Sequence, residues 1–310
     1  MKKILLIDGN SLLHRAYHAY PSLTTSTGEL VGAIYGFTIM LLTTIEKIKP
    51  THVSVAWDTG KKTFRHEIYK EYKAGRKEMD VELFDQIDRT KQVVEKLNMP
   101  QLGIDGYEGD DIIGTVSRLA KEDKESHVVI LTGDRDALQL VEDEKVVVFM
   151  PSSGGYRGVR SGKDRGTMLF DERAVEAKYG LKPKQLIDLK ALMGDPSDNI
   201  KGVRGVGQVT AAKLIKIAGS IEKLYTLIDE IEMSDRMRMM VKNGEKEARL
   251  SRDLVTIDRY APLTFSWDKC RLADYNRDEV VNLFNELEFK SLINRLPKDS
   301  WEEDVEKVFG

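Results

Sequence analysis

Three carboxylates stand within four residues in Glu108-Gly-Asp110-Asp111, and two further pairs recur in Asp134-Arg-Asp136 and Asp195-Pro-Ser-Asp198. One or two acids ahead of an apolar run are ordinary, because each gains about 0.3–1 kcal/mol in the first turn of a helix. A third is harder to place, since two carboxylates about 4 Å apart repel by roughly 4 kcal/mol at an effective dielectric near 20. Such a cluster calls for a positive partner. Carboxylates with bound water are what Mg2+ or Mn2+ prefers, and in-line hydrolysis of a phosphodiester needs a metal to make hydroxide and further positive charge for the leaving oxygen. No positioned nucleophile–base motif points instead to a serine or histidine mechanism. On an ideal helix Glu108 and Asp111 lie about 60° apart while Asp110 points about 200° from Glu108. The three acids therefore cannot face one ion from a regular turn, and Glu108 belongs in the preceding loop or some of them act through water.

The N-terminal half supplies the elements that would position these groups. Candidate strands Lys3–Ile7, His52–Trp57, His127–Leu131 and Val146–Met150 alternate with helical spacings around 30–47, 83–97 and 109–121, which predicts an α/β core with a central, mainly parallel sheet flanked by helices. Asp8, Asp58 and Asp134 each stand just past a strand, at the carboxyl edge where open parallel sheets hold their ligands. Residues 151–166 read as a Gly-, Ser- and Arg-rich loop. Beyond it the spacing turns helical over 171–179, 183–193, 207–218, 220–230 and 277–287. The expected organisation is a catalytic core over 1–170, a helical region over 171–296, and an acidic tail or linker over 297–310.

Six segments together resemble the bacterial 5′ nucleases, found as the N-terminal domain of DNA polymerase I and as free-standing 5′-3′ exonucleases related to flap endonucleases. They are Leu6-Ile-Asp-Gly-Asn-Ser11, Ala56-Trp-Asp58, Phe64-Arg65 to Arg76, Glu108-Gly-Asp-Asp111, Thr132-Gly-Asp-Arg-Asp136 and Gly194-Asp-Pro-Ser-Asp-Asn199. The resemblance covers about residues 2–296 and implies a PIN-like nuclease core that cuts DNA at 5′ ends, flaps, nicks and junctions in replication and repair. It implies two divalent ions, Mg2+ or Mn2+: Asp8, Asp58, Glu108, Asp110 and Asp111 around the first, Asp134, Asp136, Asp195 and Asp198 around the second.

Lys61 to Lys77 is rich in Lys and Arg, with tyrosines between them, as a platform for stacked single strands requires. At helical spacing Arg65, Tyr69, Tyr72 and Arg76 would share a face. The resemblance makes this a helical arch over about 61–97, with Arg65, Lys73 and Arg76 reaching the scissile phosphate and Tyr69 and Tyr72 touching DNA. Lys201-Gly-Val-Arg-Gly-Val-Gly207 followed by Thr210 to Ile217 has the form of a helix-hairpin-helix, about 185–218. Its glycines let backbone amides approach a phosphate. By resemblance it binds duplex through Lys201, Gly202, Arg204, Gly205, Gly207, Thr210 and Lys213 and holds K+ or another monovalent cation. Many relatives have proline at 201, and Lys201 makes this turn more basic. His14 and His18 have the spacing of two ligands on one helix face, but no third ligand motif accompanies them.

A formal charge of −3 does not announce a nucleic-acid binder, yet with the candidate site acids set aside the remaining surface is mildly basic. Cys270 is the single cysteine, which excludes an intramolecular disulfide and a Cys-rich zinc site and fits a reducing cytoplasm. Residues 30–45 are uncharged but too few to span a membrane, so a buried helix is expected. A monomer is expected, and the tail reads equally as a terminus or as the start of a linker to a polymerase domain. Two other readings are a shorter PIN-type ribonuclease, which would lack hairpin and arch, and a junction-binding module without catalysis, which would have no cause to keep mutually repelling acids.

Overall fold

A computed structural model describes residues 2–77, 79–143, 145–151, 167–272 and 275–297. Six strands form one sheet in the order β3-β2-β1-β4-β5-β6: β1 Lys2–Asp8, β2 His52–Ala56, β3 Gln101–Leu102, β4 Ser126–Leu131, β5 Val146–Pro151 and β6 Thr167–Phe170. All pairings are parallel except β5 with β6. The short β3 and the antiparallel β6 are additions to the expected four strands. The helices of the sheet half are α1 Gly9–Ala19, α2 Gly32–Ile48, α3 Phe64–Ile68, α4 Val81–Lys96 and α5 Gly109–Lys121. Those that follow are α6 Glu172–Tyr179, α7 Gln185–Met193, α8 Gln208–Ala218, α9 Ile221–Thr226, α10 Asp235–Asn243, α11 Glu245–Val255, α12 Trp267–Cys270, α13 Arg277–Glu286 and α14 Lys290–Ile293. Single 3-10 turns occupy Asp136–Leu140 and Pro196–Asp198.

The period of two along β1 decides which helices cover which face. Ile4 and Leu6 join a buried cluster with α5, α7 and α8, whereas Leu5 and Ile7 join a second with α1, α2, α4 and α13. Burial on both faces explains the near-continuous apolar run of the strand. The uncharged stretch at 30–45 is α2, buried along most of its length, and no helix among the described residues is long and apolar enough to cross a membrane. Parallel register sets Asp8 of β1 beside Ala56 of β2, and Ile7 beside Leu131 of β4. The chain therefore leaves three neighbouring strands at one level, just before Asp58, Asp134 and the start of α1.

The segment expected to form a helical arch over about 61–97 holds two separate helices rather than one. Only α3 and α4 are helical there. The chain leaves the helix at Tyr69, whose φ is −142°, and turns sharply with Lys73 at φ 56° and Gly75 at φ 83°. Arg65, Tyr69, Tyr72 and Arg76 therefore do not line one helix face. Helices α10 and α11, absent from the expected set, follow the hairpin. The expected loop beyond Pro151 and the tail beyond Pro297 lie outside the described residues.

Candidate active site

Asp8 ends β1 and caps α1: its Oδ1 accepts from the Ser11 amide at 2.9 Å and its Oδ2 from the Thr132 hydroxyl at 2.7 Å. Burial, opposed by those two donors and reinforced by Asp58 and Asp134, pushes its carboxyl up to about 7. Asp58 accepts from the Gly109 amide at 2.6 Å, while Asn10 holds the Asp58 amide at 2.9 Å. Glu108 is the extended N-cap residue of α5, with φ −94° and ψ 161°, so it lies ahead of the helix, the first of the two arrangements the wheel geometry allows. Asp110, in the first turn, points at Asp8, Asp58, Asp134 and Asp136. Burial, and then those neighbours, raise its carboxyl well above the ordinary carboxylate range. Its Oδ1 is buried with no hydrogen-bond partner.

The second group is set by the strand-to-helix turn after β4 and by the turn after α7. Asp134 accepts from the Asp136 amide at 2.9 Å. Asp136 is raised to about 6, chiefly by burial and next by Asp134, although Lys190 opposes the shift. Lys190 of α7 bridges Asp136 and Asp195, the latter at 2.6 Å. Burial works to raise Asp195, but Lys190 and Ser197 outweigh it and hold this carboxyl below its ordinary value. Asp198 meets Arg76 and, at 3.0 Å, the Tyr72 hydroxyl.

Basic side chains thus close the site from above. Lys73 donates to Glu108 at 2.6 Å, and its own amide donates to the Asp198 carbonyl at 2.9 Å, which fixes the unusual left-handed residue between the two acid groups. One cleft is lined by Tyr72, Lys73, Arg76, Glu108, Asp110, Asp134, Asp136, Lys190, Asp195 and Asp198.

Three of the expected site residues are buried and already engaged within the chain. Arg65 reaches the cleft lining but is only 2% exposed, with its guanidinium bound to Asp111, to Leu254 and to Thr256. Asp111 is fully buried beneath that guanidinium, which removes it from the acids facing the cleft. Tyr72 is 3% exposed with its hydroxyl held between Glu108 and Asp198; its ring is not a stacking surface. Tyr69, half-buried, donates to Glu71 at 2.9 Å. Lys190, which no motif singled out, is the addition. A lone lysine in a helical stretch has no signature, and only its reach to Asp136 and Asp195 identifies it.

The carboxylates do not close on a single point: among the described residues no three His, Cys, Asp or Glu side chains form a ready ligating set, because Lys73, Arg76 and Lys190 lie among them. The donor chemistry nevertheless fits a hard divalent cation. A buried carboxylate oxygen without a donor costs about 1–3 kcal/mol or more, and Asp110 bears that cost amid four other acids. His14 and His18 are both exposed.

The hairpin stands beside the second acid group. Gly194 and Gly202 pack backbone to backbone, so that a Cβ on Gly202 would sit 2.3 Å from the Gly194 nitrogen; the Gly202 amide donates to Ser251 at 3.1 Å. Gly207 is the N-cap of α8. Lys201, Arg204, Gly205 and Lys213 are exposed along this rim, with Thr210 half-buried, and a groove runs from Lys201, Gly202, Arg204 and Gly205 to Arg236 and Met240. Lys201 lies 3.6 Å from Glu71, and its ammonium sits 5.9 Å from the centre of the Tyr69 ring.

Comparison with known proteins follows this geometry. Residues 3–180 match the family described as 5′-3′ exonuclease, N-terminal resolvase-like domain, and residues 181–278 match 5′-3′ exonuclease, C-terminal SAM fold. The chain is 38% identical over 306 residues to DNA polymerase I of Bacillus subtilis, covering 99% of the chain and 33% of that protein. It is 40% identical over 300 residues to DNA polymerase I of Chloroflexus aurantiacus, covering 95% and 31%. The chain thus spans about a third of the length of these relatives. Among solved structures, the T5 5′-exonuclease with bound zinc superposes with a TM-score of 0.65 at 23% identity, covering 95% of this chain and 99% of that one. The catalytic core of Rad2 in complex with DNA gives 0.56 at 12%, covering 95% and 91%. Both likenesses are of fold.

Proposed function

Because the chain belongs to the 5′-3′ exonuclease family, we propose that it hydrolyses DNA phosphodiesters in a metal-dependent, structure-selective way, at 5′ ends, flaps and single-strand/duplex junctions. The observation that carries this reading is the buried, partnerless Asp110 oxygen among Asp8, Asp58, Asp134 and Asp136, in the cleft that Lys73 and Lys190 also line. Mg2+ or Mn2+ bound there would supply hydroxide near neutral pH and offset the charge on the leaving oxygen. Asp8, Asp58, Glu108 and Asp110 on one side, and Asp134, Asp136, Asp195 and Asp198 on the other, would hold two such ions.

The chain's own groups do the remaining work. Lys73, Arg76 and Lys190 are each spent on a carboxylate, and neutralisation of those acids from another source frees them for a phosphate. Placed there, they stabilise charge that develops in the transition state. Thr132 and Asn10 keep Asp8 and Asp58 aimed at the edge. The hairpin rim of Lys201, Arg204, Thr210 and Lys213 would hold duplex phosphates, with K+ or another monovalent cation against its carbonyls. A monomer acting in the reducing cytoplasm, in replication and repair and with a polymerase domain linked to it, completes the proposal. Its test is a labelled 5′ flap and a nicked duplex incubated with Mg2+, with EDTA, and with Asp134→Ala. Cleavage confined to the first condition is expected; cleavage that persists in EDTA would overturn the reading.

A further inference from the structure

The last turn of α11 and the residues that leave it, 254–258, line the cleft, and five of their backbone polar groups are taken by buried side chains. Arg65 donates to the Leu254 carbonyl at 2.9 Å and to the Thr256 carbonyl at 2.8 Å. Asp111 accepts from the Asp258 amide at 2.8 Å. From the other side Gln139, in the turn that begins with Asp136, donates to the Val255 carbonyl at 3.0 Å and accepts from the Ile257 amide at 3.0 Å. Arg65, Asp111 and Gln139 are 2%, 0% and 7% exposed. The Arg65 fork meets both Asp111 oxygens at 2.7 Å, the bidentate geometry that fixes orientation as well as distance.

We propose that Arg65, Asp111 and Gln139 are positioning residues that lock segment 254–258 as a strut between the two acid groups, and that neither Arg65 nor Asp111 touches DNA or metal. Each is one step from a group that does face the cleft. Asp111 accepts from the Glu108 amide at 3.0 Å, and Glu108 holds Lys73 and Tyr72. Gln139 lies in the 3-10 turn that begins at Asp136. The strut belongs to α11, which packs on α7, the helix that carries Lys190. The spacing of the two acid groups is thereby tied to α7, the helix that leads into the hairpin.

The inference rests on the nuclease reading, and the experiment separates the two. Arg65→Lys, Asp111→Asn, Gln139→Leu and the apolar double variant Arg65→Met/Asp111→Leu are compared in the full chain. Four readouts are taken: melting in EDTA, magnesium titration by thermal shift, flap-DNA affinity in EDTA, and single-turnover flap cleavage. A lost positioning contact costs about 100-fold in rate for a displacement near 1 Å, so Arg65→Lys and Gln139→Leu should slow cleavage by that order while flap affinity stays within about 3-fold. Asp111→Asn should keep the wild-type magnesium midpoint. The double variant restores melting, because well-packed apolar groups can replace a buried pair, but should cut no faster than Arg65→Lys, since residues acting as one unit are non-additive. Weaker flap binding with a shallower salt dependence in Arg65→Lys would make Arg65 a phosphate contact. A magnesium midpoint raised about tenfold in Asp111→Asn would make Asp111 a ligand, and a double variant with wild-type rate would make the strut dispensable. If the unaltered chain cuts neither flap nor nick, the nuclease reading fails while the affinity and magnesium readouts still decide between strut and ligand.

Discussion

Asp110 and Asp111 are adjacent in the chain and opposite in circumstance. Asp111 lies in the dry interior with its charge matched by a bidentate arginine and two amides. Asp110 faces other acids and has one oxygen with no partner at all. A helix advances about 100° per residue, so consecutive acids in a first turn must face different surroundings, and here one surrounding is the core and the other the cleft. The difference teaches that a run of carboxylates is not one ligand set. Some of its members hold the others in place.

The sharpest way to break this contrast is to remove each acid in turn. Asp110→Ala should abolish flap cleavage by a factor of about 10³ or more, the scale of losing a group that organises transition-state charge. It should also raise the melting temperature in EDTA, because a carboxylate repelled by its neighbours disappears. Asp111→Ala should leave an unpaired buried guanidinium and destabilise the chain by about 3–5 kcal/mol. Melting curves in EDTA read both signs, and equal destabilisation by the two substitutions would erase the distinction.

A smaller effect follows at the cover of the cleft. Lys73→Ala should slow cleavage by about 10²-fold, on the scale of one lost electrostatic donor, with duplex affinity nearly unchanged; equal losses in rate and affinity would reduce Lys73 to a phosphate contact. Magnesium should act on the same acids without any mutation. At about 100 times its dissociation constant it should add roughly 2.7 kcal/mol of stability, and in Asp110→Ala much of that gain should vanish. An unchanged melting curve in the unaltered chain across a magnesium titration would remove the metal from the account.

These differences also mark what was legible in advance. The sheet was, because the buried strands read as apolar runs and the acids past their ends fall at one level by parallel register. The position of Glu108 ahead of α5 was one of the two arrangements that helix geometry left open. The pairing of Arg65 with Asp111 was not legible, because the two lie 46 residues apart and a basic residue in a basic stretch carries no sign of burial. The arch misled for a related reason. Its helix ends at Tyr69, and the turn that follows, with a left-handed Lys73 whose amide is held by Asp198, rests on tertiary contacts that local propensity does not register. Lys190 and Gln139 belong to no motif at all, and their roles appear only once α7 and the strut are in place.

The hairpin provides the mildest and most independent comparison, because its charges are exposed where those of the cleft are buried. Lys201, Arg204 and Lys213 project from the rim; Lys201 is also drawn toward Glu71 and Tyr69. A phosphate contact of this kind releases counterions, so each one lost should lower the slope of log affinity against log salt by about 0.9. Arg204→Ala and Lys213→Ala should each show that decrement, weaken binding uniformly across sequences and leave single-turnover cleavage of bound DNA intact. Lys201→Ala should show less, because Glu71 already offsets part of its charge. Titration of a labelled flap duplex at several salt concentrations measures all three. A change of sequence preference, or a slope loss for Lys201→Ala larger than that for Arg204→Ala, would mean that the hairpin does not meet DNA through its exposed rim.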